Sequence, residues 1–145
     1  MRRGFSLLEL MVSVAIVGVL AAIAVPNFRE LQHVAKRAEV PSNVNGIHHS
    51  ELLYDAAFDE FLSAGSNPPG SPGKDGRAWD FGVSGWRDLG WSPEGDVRGV
   101  YEVVATGAAF EVVGACDVDG DGVRATYTAV RERNATLTAG DERVY

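Results

Sequence analysis

A single cysteine, Cys116, stands in the chain. No intramolecular disulfide can form, and cysteine usage does not reveal the redox compartment. Basic residues are also scarce: 13 Lys and Arg face 20 Asp and Glu, a formal net charge of −7. Neutralising phosphates takes Lys and Arg, so this balance argues against binding DNA or RNA directly. The sequence has no glycine-rich phosphate loop, no zinc-ligand spacing and no Ser/His/Asp set, and so offers no candidate catalytic residues. His33, His48 and His49 fall on or near a helical stretch. Adjacent histidines on a helix point about 100° apart and make a poor metal pair, so all three are expected to be solvated or in contact with a partner.

One long stretch has almost no charge. From Phe5 to Val25, 21 residues contain one ionisable group, Glu9. As a helix this segment is roughly 31 Å long, close to the hydrocarbon thickness of a bilayer. Arg2 and Arg3 precede it and favour a cytoplasmic N-terminus. No small-x-small cleavage site follows the run, as a secretory signal peptide would require. A plain signal anchor matches the hydropathy but leaves Glu9 unexplained, because a carboxylate at that depth is costly and by default functional.

Pro26 closes the run and is expected to bend the helix. Beyond it the pattern becomes amphipathic, with Phe28, Leu31, Ala35 and Ala38 at spacings of three and four. A second bend is expected near Pro41. The period resumes at Ile47, Tyr54, Ala57 or Phe58, and Phe61. The pattern predicts one helix over 5–63 whose second half covers a sheet. Residues 63–77 are rich in Gly, Pro and Ser and predict an exposed loop. Three strands follow, over 98–106, 109–116 and 123–130, each with apolar residues alternating onto one face. Trp79, Trp86 and Trp91 suit helix–sheet packing, with a sugar- or surface-binding patch as the sharper alternative. Cys116 is expected to be a small buried residue. The tail from Arg131 to Tyr145 shows no clear pattern. The fold class is α+β: a long kinked N-terminal helix on a C-terminal antiparallel sheet.

Gly4-Phe5-Ser6-Leu7-Leu8-Glu9-Leu10, then Met11 to Val25 and Pro26, resembles the N-terminus of type IV prepilins and of type II secretion pseudopilins. The segment Leu89-Gly90-Trp91-Ser92-Pro93 is similar to a stretch found in many pilins and minor pilins before the first sheet strand. The resemblance implies a leader of residues 1–4, a membrane or filament-core helix over 5–28 and a globular domain over 29–145. It also implies a membrane peptidase and methyltransferase that cuts between Gly4 and Phe5 and methylates Phe5. The subunit would wait in the inner membrane with its N-terminus in the cytoplasm, and an assembly platform there would add it to a fibre. Glu9 of an incoming subunit would pair with the Phe5 amine of a neighbour; the family tolerates a proline at Pro26, and the segment around Gly18 to Pro26 would partly melt in the assembled filament. A charge withdrawn from water is tolerated when paired, and the pair would set axial register.

Three functions stay open: a pilus subunit for adhesion, motility or DNA uptake; a secretion pseudopilin; and a membrane-anchored ligand-binding domain. Asp117-Val118-Asp119-Gly120-Asp121-Gly122 matches the first half of an EF-hand calcium loop, but the twelfth position is Thr128 where that loop needs Glu. Some pseudopilins hold calcium in this part of the fold. A tight hairpin, in which Asp and Gly accept unusual backbone angles, is the competing reading.

Overall fold

The computed structural model describes residues 5–140 and 144. They fall into two compact units, divided between Gln32 and His33.

In the first unit, helix α1 (Leu7–Arg37) begins, and it continues through Pro26. Every side chain from Phe5 to Gln32 is exposed, including the apolar ones. Phe28 and Leu31, expected to cover a sheet, are 61% and 66% exposed. Burial begins at Arg37, whose Nε donates to the Tyr127 hydroxyl at 2.6 Å.

The second unit packs helix α2 (Glu39–Phe58) on a five-stranded antiparallel sheet. Val40, Val44, Ile47 and Glu51 recur at spacings of four, three and four and form the buried face of α2. Against them lie Tyr101, Val103, Phe110, Val112, Ala125 and Ala129. The strands are β1 (Ala64–Asn67), β2 (Val100–Thr106), β3 (Ala109–Cys116), β4 (Ala125–Val130) and β5 (Arg133–Ala139), paired in that order as a meander. Thr106 pairs with Ala109 across a two-residue turn, in which Gly107 takes φ 58°. The alternation expected for β3 is present: Phe110, Val112, Gly114 and Cys116 all face inward. Gly114 allows the helix to approach, since a Cβ there would lie 2.4 Å from Val44 Cγ2.

Four features differ from the sequence reading. The break near Pro41 falls instead at Ala38, between α1 and α2. Pro41 lies in the first turn of α2, where its missing N–H needs no partner. The helix stops at Asp59 rather than residue 63; Asp59 takes a left-handed conformation, and its N–H donates to Asp55 O at 2.8 Å.

Within the expected loop over 63–77, Ala64–Asn67 forms an edge strand, with Ala64 and Asn67 buried. Gly65 N donates to Ser84 O and Trp86 Nε1 donates to Gly65 O at 2.7 Å. The polar tail supplies a full strand, β5. Trp79 and Trp86 are buried, and Trp86 opens a short helix, α3 (Trp86–Leu89). Cys116 is fully buried, and burial pushes its thiol up to about 11.

Candidate assembly site

The helix over Leu7–Arg37 begins with a reciprocal cap. Ser6 precedes its first residue, and Glu9 is the third. The Glu9 amide donates to Ser6 Oγ at 3.2 Å, while Glu9 Oε2 accepts from Ser6 N and Ser6 Oγ, both at 3.1 Å. This is a capping box, which satisfies two of the amides that open a helix. The pattern Ser-x-x-Glu was the signal for it; the sequence reading gave Glu9 a register role alone. A carboxylate in the first turn also meets the positive end of the helix dipole. One turn on, Ser13 Oγ donates to Glu9 O at 2.7 Å.

Glu9 thus sits on an ordered turn with its carboxylate oriented. Oε1 has no protein donor among the described residues. Phe5 is 74% exposed beside it, and Gly4 lies outside the described residues. Around and beyond Glu9, Leu10, Met11, Val14, Val17, Leu20 and Ile23 are each more than half exposed. Such a continuous apolar surface without cover marks a membrane or protein interface. Its helix is long and apolar enough to cross a membrane.

The chain matches the family model "Prokaryotic N-terminal methylation motif" over residues 1–25. It is 32% identical over 116 residues to the type IV major pilin protein PilA of Myxococcus xanthus (strain DK1622), covering 80% of this chain and 43% of that protein. It is 35% identical over 75 residues to fimbrial protein EcpB of Eikenella corrodens, covering 52% of this chain and 43% of that protein. A fimbrial protein of Dichelobacter nodosus is 30% identical over 129 residues, covering 88% of this chain and 68% of its own length. The chain belongs to the type IV pilin family. It spans less than half the length of the first two of these pilins and fimbrial proteins. No solved structure matches it.

The pilin's second candidate cluster is the loop between β3 and β4. Oxygens of Asp117, Asp119 and Asp121 come within 4.8 Å of one another. A calcium ion takes six to eight oxygens, so these carboxylates would supply about three and leave the rest to carbonyls and water. They also serve the turn. Asp117 Oδ1 and Oδ2 accept from Gly120 N at 2.8 Å and Gly122 N at 3.1 Å. Asp119 and Asp121 accept from Asp121 N and Val123 N. Gly120 and Gly122 take φ 77° and 88°, as a tight hairpin demands. The donor set suits a hard cation, and the loop is also satisfied by its own amides.

The histidines divide. His49 is exposed, whereas His48 is 4% exposed, so the expectation of a solvated residue fails for it. Its Nε2 lies 3.0 Å from Val130 O, which only an Nε2–H donor satisfies, and its ring packs on Phe110. Helical spacing alone does not reveal this, because the partner lies 82 residues away.

Proposed function

We propose that this chain is a structural subunit of a type IV pilus, polymerising through its N-terminal helix. The observation that carries this reading is the apolar surface from Phe5 to Val25, exposed throughout and broken by one carboxylate. A lipid bilayer covers that surface before assembly, and neighbouring copies of the helix cover it in the fibre. Cleavage after Gly4 would leave a cationic amine on Phe5. Glu9, already oriented by Ser6, then offers Oε1 to the amine of a neighbouring copy. The family's processing enzyme and a membrane assembly platform are the partners this route requires. The relatives' names favour a surface pilus over a secretion pseudopilus. For the Asp117 loop the proposal is a weak calcium site, supported by the convergence of its three carboxylates.

Glu9→Ala tests the assembly reading. Electron microscopy of surface fibres, with immunoblots for total subunit, should show few or no fibres and normal subunit levels. The helix bearing Glu9 is exposed, so the second unit should melt as in wild type. Abundant, ordered fibres from this variant would refute the pairing.

A further inference from the structure

A cleft of about 360 Å³ opens between the first half of α2 and the loop 91–97. It lies within the second unit and takes no part in the assembly route above. Its volume falls within the range of small-molecule sites.

One wall is the indole of Trp91. That ring is fixed from behind by Trp79, 5.3 Å away between centroids, and by Tyr101 at 6.1 Å. Gly46 on α2 lets its N–H edge approach, for a Cβ there would lie 2.9 Å from Trp91 Nε1. Glu39 at one side is already engaged by Arg98 N at 2.9 Å and the Tyr101 hydroxyl at 3.2 Å.

Asn43 Nδ2 likewise donates to the Tyr101 hydroxyl at 2.9 Å, while the other polar side chains of the lining have no protein partner among the described residues. Trp91 Nε1–H and the hydroxyls of Ser42 and Ser92 have no protein acceptor, and the carboxylates of Glu94 and Asp96 have no protein donor.

This chemistry selects a ligand class. Of the three carboxylates lining the cleft, Glu39 is paired with Arg98 at 3.6 Å, while Glu94 and Asp96 have no ion pair among the described residues, so the cleft repels anions. A bare cation takes acceptors, which the carboxylates and the serine hydroxyl oxygens supply, and would leave the indole N–H unused. Vicinal hydroxyls both donate and accept, and so match the mixed set. The C–H face of a sugar ring lies well against an indole whose orientation is already set. Pre-set walls lower the ordering cost of binding. We propose that this cleft binds a neutral pyranose, with the ring against Trp91 and its hydroxyls donating to Glu94 and Asp96.

The test uses the full chain in a detergent without a sugar headgroup. The probes are the methyl glycosides of glucose, galactose, mannose, N-acetylglucosamine and N-acetylgalactosamine. The Trp91 indole N–H resonance is assigned through Trp91→Phe and followed by NMR. At least one glycoside should shift it saturably in the millimolar range. The double variant Glu94→Gln, Asp96→Asn should bind that glycoside at least tenfold more weakly with an unchanged melting temperature, since both side chains are exposed. Three results overturn the proposal: no shift with any of the glycosides at hundred-millimolar concentration, an unchanged affinity in the double variant, or a shift produced by lysine methyl ester but by no glycoside. Because the readout is monomeric, it is independent of whether fibres form.

Discussion

Glu51 is a carboxylate with no exposed surface, set on the face of α2 that packs against the sheet. Oε2 accepts from Leu62 N at 3.1 Å, which ties the chain after α2 back to the helix. Oε1 is buried without a partner among the described residues. Burial pushes the carboxyl up from 4.5 to about 7, partly offset by the Leu62 amide. The folded state therefore holds this proton more tightly than the unfolded chain does. The group's stabilising contribution is complete below pH 4.5 and is lost as pH rises through about 7. The gap corresponds to about 3 kcal/mol, at 1.36 kcal/mol per pH unit. For a unit of this size that is a melting shift on the order of 10 °C.

Glu51→Gln removes the titration while keeping an acceptor for Leu62. Its amide NH₂ lacks a partner, at a cost of about 1–3 kcal/mol that does not depend on pH. The diagnostic quantity is therefore the difference between variant and wild type across pH 5 to 8, in which every other titrating group cancels. Tryptophan fluorescence melts should show the wild type losing stability relative to Glu51→Gln as pH rises. Parallel curves for the two proteins would refute the burial argument.

Gly114→Ala places a methyl 2.4 Å from Val44 Cγ2 and 3.0 Å from Val40 Cγ1, so α2 must move off the sheet. Chemical denaturation should show a loss of about 1–3 kcal/mol, as overpacking typically gives. Ser6→Ala removes the two cap bonds made by the Ser6 hydroxyl but leaves the Glu9 charge and its bond from the residue-6 N–H. Hydrogen exchange should show faster fraying of the first turn, with a local loss of about 1 kcal/mol, and fibres should persist where Glu9→Ala loses them. Millimolar calcium should raise the melting temperature by mass action, and Asp119→Asn should reduce the rise. No shift in the wild type would leave the Asp117 loop a plain hairpin.

Much of this fold was legible because it is written in local periods. The alternation in 109–116 matched β3 residue for residue, since a strand half-buried against a helix has to alternate. Edge strands carry no such mark. Ala64–Asn67 has no β-branched residue, and Arg133–Ala139 presents mostly exposed side chains. Their pairing is decided by β2 and β4, whose free edges accept any chain brought beside them. The candidate assembly site was legible in Glu9 and its apolar run, whereas the geometry of its cap needed coordinates.

The sequence by itself determined the N-terminal apolar helix, its lone carboxylate, the α+β class and the central hairpins. Composition and spacing suffice there, because hydropathy and backbone angles act within a few residues of one another. Only the tertiary structure decided that α2 begins its cover at Val40, that His48 and Glu51 are core residues, and that Trp91 lines an open cleft. Each of these depends on groups far apart in the chain. Burial is a property of what folds on top, and no local pattern records it.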